Sequence, residues 1–211
     1  MTNAKATDED TPFDTCAKLT PELFLAQIQL NKFAGQYLTS ISGDQTFDKD
    51  GFLSAVRKYP FSDLTILPVP ENPSQPPSGN NPVSQMCNNI VYFMRDEIGI
   101  PIDADAMYAT VNNAFTNLKW ATEQGFASFS SSSSGSNSAF EYRVMFSAPV
   151  DEETFVSFVC TILLEADIRT EEEWWGLVSS TRKHFRCAIW GIKLQVKKGF
   201  EYDPDGPVVG G

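Results

Sequence analysis

The chain has 211 residues, 42% of them hydrophobic and 12% aromatic, with a formal net charge of -11. That length and composition fit one globular domain with a sizeable core and exclude a disordered chain. The acidic balance argues against a nucleic-acid partner, since displacing phosphate counterions needs a basic face, so any membrane affinity must come from apolar contact or a local basic patch.

Residues 1–19 are polar and acidic, carry no apolar h-region of a secretory signal, and read as a flexible N-terminal tail. No run approaches the roughly 18 apolar residues of a transmembrane helix, so the expectation is a chain made as a soluble molecule. Thr20 reads as a helix N-cap with Pro21 at the first helical position, and Leu23, Phe24, Ile28, Leu30, Phe33, Ala34, Tyr37, Leu38 and Ile41 follow at helical spacing. After Gly43, an Asp50 cap and the segment from Gly51 to Tyr59, stopped by Pro60, predict a second helix that makes a helical hairpin with the first.

The stretch 66–82 holds Pro68, Pro70, Pro73, Pro76, Pro77 and Pro82, which exclude a helix or an internal strand and predict a long exposed loop. A third helix is expected from Asn81 and Pro82 to a stop at Gly99, and a fourth from an Asp103 cap through Leu118. From Gly125 the period changes to two. A strand over Phe126 to Phe129, a Ser-rich turn over Ser130 to Ser138 and then long strands follow. Helices over 20–120 and mainly strands over 125–200 predict an α+β domain, with helices covering an antiparallel sheet, and 201–211 reads as a flexible C-terminal tail.

The strands are the most informative part. Phe140, Tyr142, Val144, Phe146 and Ala148 share one face, with Glu141, Arg143, Met145 and Ser147 opposite; Val156, Phe158, Cys160, Ile162, Leu164, Ala166 and Ile168 repeat the pattern. The next run is apolar at Phe185, Cys187 and Ile189 and then at Ile192, Leu194 and Val196, a change of face that predicts a bulge near Trp190 and Gly191. Periodicity alone reads as a sheet with one face on a core, although each strand is also long enough to cross a hydrocarbon core, which takes roughly 9–11 tilted residues. Trp174, Trp175 and Trp190 are rings of the type that settle at a lipid interface, or that pack at a strand end. Arg182, Lys183, Arg186, Lys193, Lys197 and Lys198 concentrate positive charge near the C-terminus, as a solvated strand face or as contacts for a lipid headgroup or sulfated glycan.

Catalytic patterns are lacking. His184 is the single histidine, and neither a GxSxG elbow, an HExxH motif nor a P-loop occurs. Cys16, Cys87, Cys160 and Cys187 form no CxxC pair, so buried free thiols are expected. Asp48, Asp50 and Gly51 imitate the middle of an EF-hand loop, but Arg57 stands where the bidentate glutamate is required. The expectation is a protein that is not an enzyme and that holds no metal or cofactor.

The segments LNKFAGQYL (Leu30 to Leu38), AFTNL (Ala114 to Leu118), EYRVMFSAP (Glu141 to Pro149), TILLEADI (Thr161 to Ile168), WWGLVSSTRKHF (Trp174 to Phe185) and LQVKKGF (Leu194 to Phe200) closely resemble the volvatoxin-like fungal cytolysins. More distantly they resemble the Cyt δ-endotoxins, in which a similar FTNL precedes the strand region. The resemblance runs from about Pro21 to Phe200 and is weakest in the proline-rich segment. It implies a single-domain fold with an antiparallel sheet sandwiched between two layers of helices. It also implies a protein released to act extracellularly on target-cell membranes in virulence or defence, which binds membrane lipids directly, oligomerises with itself and forms haemolytic pores. A homologous regulatory subunit is a further partner the resemblance implies, and a non-lytic lipid- or glycan-binding protein of the same fold is the alternative.

Overall fold

The computed structural model describes residues 11–41, 44–71, 73–131 and 137–204. In chain order, β1 (Asp14–Ala17) precedes α1 (Pro21–Gly35), the hairpin of β2 (Leu38–Ile41) and β3 (Asp44–Phe47), α2 (Lys49–Lys58), and the short strands β4 (Leu64–Ile66) and β5 (Gly79–Pro82). Next, α3 (Val83–Tyr92) runs into a π-helical turn (Phe93–Glu97), followed by α4 (Ala104–Thr116), α5 (Leu118–Glu123) and β6 (Ala127–Ser131). The long strands β7 (Ser138–Pro149) and β8 (Thr154–Ala166), the short α6 (Glu171–Trp175) and β9 (Arg182–Lys197) complete the fold.

β7, β8 and β9 form the antiparallel centre of a seven-stranded sheet. Short segments occupy both outer edges of this centre. β6 pairs antiparallel with Ser138 to Tyr142 of β7, and β1 pairs parallel with Val144 to Ser147. β5 covers Arg182 to Phe185 of β9 and β4 covers Leu194 to Val196. Between them the Leu67 N–H donates to the Lys193 carbonyl at 2.8 Å, and the Gln75 amide exchanges two bonds with the Ile189 backbone, at 3.0 and 2.7 Å. Strands that would otherwise present bare pairing groups are thus blunted by pieces too short to propagate a sheet.

Two helical layers cover the sheet. The π turn and α3 to α6 pack on one face, while α1 and α2 pack on the other with Phe13 and Phe200. Thr20 caps α1, accepting from the Leu23 N–H, and Asp103 caps α4, accepting from the Ala106 N–H at 3.0 Å. The π turn that continues α3 stops at Glu97, where the Ile98 N–H reaches back to the Phe93 carbonyl at 3.0 Å and Gly99 follows with a φ of 71° that suits glycine.

Several expectations need correction. Residues 11–19 are not a loose tail: Phe13 is buried, its backbone is bonded in both directions to the Asn31 side chain, and β1 joins the sheet. Tyr202 stacks on Phe33 at 5.1 Å, so the C-terminal segment starts as packed chain; residues 1–10 and 205–211 lie outside the described residues, as does 132–136 of the Ser-rich turn. The first helix stops at Gly35, and the apolar spacing beyond it belongs to a hairpin that packs into the same aromatic cluster. Asp48, not Asp50, caps the second helix, because its carboxylate accepts from the Gly51 N–H at 2.9 Å. The third helix begins at Val83, since Gly79–Pro82 is used as an edge strand, where a proline at the end costs no ladder bond. Thus the proline-rich stretch is a strap along β9 with Pro76 buried, not a free loop.

No bulge interrupts β9. Its pairing with β8 runs in one register from Thr154↔Lys197 to Ala166↔Phe185, with Cys160 opposite Gly191. The apolar pattern changes face because the helical layers are staggered: Phe185, Cys187 and Ile189 lie under the α3–α6 layer, whereas Ile192, Leu194 and Val196 lie under α1 and α2. Gly191 marks the crossing point. A Cβ there would come within 2.5 Å of the Val159 carbonyl oxygen and 2.8 Å of the Phe158 ring.

Candidate functional site: the β7–β8 hairpin and its cover

The two faces of the β7–β8 hairpin are chemically different although both are buried. Phe140, Tyr142, Val144, Phe146 and Ala148 of β7 and Val156, Phe158, Cys160, Ile162, Leu164 and Ala166 of β8 all pack under the α3–α6 layer. On the opposite face Met145, Phe155 and Val159 join the smaller core under α1. Between them sit Arg143, Ser147, Ser157 and Thr161, all fully buried. The side of these strands opposite the α3–α6 layer therefore holds a buried polar seam, with Ser147 beneath α1 and Arg143 beneath the β2–β3 hairpin.

Specific hydrogen bonds hold that seam closed. Gln27 of α1 donates to the Met145 sulfur at 3.0 Å and accepts from the Ser147 hydroxyl, which in turn lies 2.9 Å from the Ser157 hydroxyl. The consecutive residues Glu141, Tyr142 and Arg143 act as a clasp on the cover. Glu141 accepts from the Phe47 N–H of β3 at 3.1 Å, and the Tyr142 hydroxyl donates to Asp14 of β1 at 2.7 Å. The Arg143 guanidinium donates to the Gln45 carbonyl at 2.8 Å, the Ser128 hydroxyl at 3.0 Å, the Gly125 carbonyl at 2.5 Å and, through Nε, the Pro12 carbonyl at 3.5 Å. Three residues of β7 thereby tie down the N-terminal segment, the β2–β3 hairpin and β6. Burial raises the Asp14 carboxyl above its ordinary 3.8, with the Tyr142 hydrogen bond opposing the rise.

No family model matches the sequence, and no curated protein sequence matches it. Solved structures do match. A δ-endotoxin superposes with a TM-score of 0.77, covering 99% of this chain and 90% of its own at 14% identity. The activated Cyt2Ba monomer of Bacillus thuringiensis subsp. israelensis superposes with a TM-score of 0.72, covering 89% of this chain and 98% of its own at 13% identity. The chain has the Cyt δ-endotoxin fold.

Within this Cyt-like fold the residues singled out from the sequence fall into separate places. Phe140, Tyr142, Val144, Phe146, Val156, Phe158, Ile162 and Leu164 share one continuous face, whereas Ile192, Leu194 and Val196 point to the other. Trp174 is buried, not at a surface: its indole N–H donates to the Ser138 hydroxyl at 2.6 Å and its ring packs on Phe140 at 5.1 Å. Trp175 is half-buried with the Lys119 ammonium 5.3 Å from its ring, and Trp190 is half-buried opposite Thr161.

The basic residues do not form one patch. Arg182, Lys183 and Arg186 lie at the start of β9, with Arg186 3.8 Å from Glu165, while Lys193, Lys197 and Lys198 lie at its far end. There the Lys193 ammonium donates to the Ile98 carbonyl at 2.9 Å and to the Gly99 carbonyl at 3.2 Å, Lys197 donates to Ser62, and Lys198 pairs with Glu153. The cysteines are free and buried, and burial pushes the Cys87 and Cys187 thiols up to about 12, which leaves them poor nucleophiles. Among the described residues no group of three or more His, Cys, Asp or Glu could hold a metal, and no helix is long and apolar enough to cross a membrane.

Sequence reading missed the clasp, because its partners lie 15 to 131 residues away from Arg143. It also missed α6, for which a signal existed. Thr170 followed by Glu173 is the spacing of a capping box, and the Thr170 hydroxyl does accept from the Glu173 N–H at 3.3 Å.

Proposed function

We propose that this chain is a pore-forming cytolysin of toxin type, which binds lipid bilayers directly, assembles with copies of itself and permeabilises the membrane. The carrying observation is the β7–β8 face, apolar from Phe140 to Ala148 and from Val156 to Ala166 and hidden under a separate helical layer, with the outer edge of β7 occupied only by short segments. The Cyt-like fold supports the same reading.

The physics of the transition follows from that arrangement. In water the apolar face has no better partner than α3–α6, and a bilayer offers it one. Exposing it requires that layer to swing away; freeing β7 to pair with another chain requires the clasp to release β1, β3 and β6. Strands in hydrocarbon cannot keep unpaired backbone groups, so insertion demands closure with other copies into a barrel. A water-filled lumen would then receive the polar seam of Arg143, Ser147, Ser157 and Thr161.

Dye release from liposomes of defined composition tests the reading. Release that rises steeply with protein concentration, accompanied by membrane-bound oligomers, is expected. Binding to liposomes without release would contradict it and favour a non-lytic lipid-binding protein.

A further inference from the structure

A ring of identical copies imposes a parity condition on the strands each copy contributes. β7 is antiparallel to β8, and β8 to β9, so β7 and β9 run in the same direction. In a rotationally symmetric ring the last strand of one copy pairs with the first strand of the next. If each copy supplied β7, β8 and β9, every junction would set β9 against a parallel β7. If each supplied β7 and β8, every junction would set β8 against an antiparallel β7, which is how transmembrane barrels are normally built.

The side chains favour the same unit. The face of β7 and β8 under α3–α6 is apolar from Phe140 to Ala148 and from Val156 to Ala166. On β9 the equivalent face continues past Gly191 into Lys193, Gln195 and Lys197, and Lys193 stands directly opposite Phe158. A barrel that included β9 would carry an ammonium group in its lipid-facing belt. β9 also has its own reasons to stay behind: Ile192, Leu194 and Val196 are rooted in the core of α1 and α2, and β4 and β5 remain paired to its outer edge. The lengths agree as well. Strands of 12 and 13 residues reach roughly 40 Å, and a tilt of about 45° brings that near the 25–30 Å of a hydrocarbon core.

We propose that the unit each copy gives to the pore is the β7–β8 hairpin alone, and that the edge of β8 vacated by β9 is the surface that receives β7 of a second copy. The inference rests on the pore reading above. It makes separation of β9 from β8 an obligatory step, and it makes the turn at Val150 to Glu153, with its three carboxylates, the leading end of the hairpin.

Two disulfide locks between directly opposed residues test it in the full chain. Leu163→Cys with Ala188→Cys ties β8 to β9; Ala139→Cys with Glu165→Cys ties β7 to β8. Each variant is assayed for dye release from liposomes before and after reduction, with lock formation verified by mass. The expected result is loss of release in the β8–β9 lock, recovery on reduction, and release at the unlocked rate in the β7–β8 lock. Full release from the oxidised β8–β9 lock would overturn the proposal by showing that β9 travels with the hairpin. Loss of release in both locks would overturn it too, since the hairpin would then not enter as a unit. No release from the unaltered chain would overturn the pore reading itself, and this inference with it.

Discussion

On the α3–α6 side the β7–β8 hairpin presents Phe, Tyr, Val, Ile, Leu, Ala and Cys side chains from Phe140 to Ala148 and from Val156 to Ala166; on the other side it presents Arg143, Ser147, Ser157 and Thr161 among Met145, Phe155 and Val159. Both faces exclude water in the closed fold, so burial does not distinguish them. What differs is the kind of force that holds each cover in place. The first layer adheres mainly through apolar burial, which is non-directional and can be exchanged for lipid, with directed bonds only at its margins, from Trp174 to Ser138 and from Lys193 to the Ile98 carbonyl. The second adheres partly through directed bonds to Gln27 and to the clasp, which lipid cannot replace and water can.

Substitutions on the two faces should therefore separate stability from release. The largest effect is expected at Phe158→Ala, which empties a fully packed site resting on Gly191 and should destabilise the fold by about 3–5 kcal/mol in urea unfolding, with weaker dye release as lipid-facing area is lost. Arg143→Met strips donors from the Pro12, Gln45 and Gly125 carbonyls and should cost about 3 kcal/mol. Here, however, release from the folded protein should quicken, because the clasp is weaker. Slower release would place Arg143 outside the opening step. Ser147→Ala leaves the Gln27 carbonyl oxygen without its donor, and a smaller loss of about 1 kcal/mol is expected, with release unchanged or faster.

The smallest effect concerns pH. The half-buried Asp14 carboxyl has a folded pKa above its ordinary 3.8, so the folded state holds its proton more tightly than the unfolded chain does. The stability this contributes is fully present below the unfolded value and is lost as pH rises through the folded one. Compared with Asp14→Asn, the native chain should accordingly lose relative stability across that window and run level above it. A gain with rising pH, measured as the difference between their thermal midpoints, would contradict the assignment.

Much of the hairpin was legible from period two alone, since Phe140 to Ala148 and Val156 to Ala166 alternate in sequence as they do in the sheet. Its opposite face was misread because Ser, Thr and Arg look the same whether water or packed chain covers them. The change of face in β9 was legible, but its cause was not: a bulge and a stagger between two helical layers leave the same pattern in one chain. Between an interfacial ring and a core ring, Trp174 was not decidable from the sequence, because nothing local shows that Ser138 waits for its indole N–H. The clasp had no local signature either, as it joins β7 to segments brought near only by the folded topology.

In the proposed pore the α3–α6 face of β7 and β8 meets lipid and their opposite face meets water. Single cysteines placed in turn from residue 155 to residue 166, in a background with the four native cysteines replaced, can each carry an environment-sensitive fluorophore on liposome-bound protein. A period of two is expected, with even positions quenched from within the bilayer and odd positions quenched from the aqueous phase. A signal without alternation, or one identical to that of the protein free in solution, would contradict it.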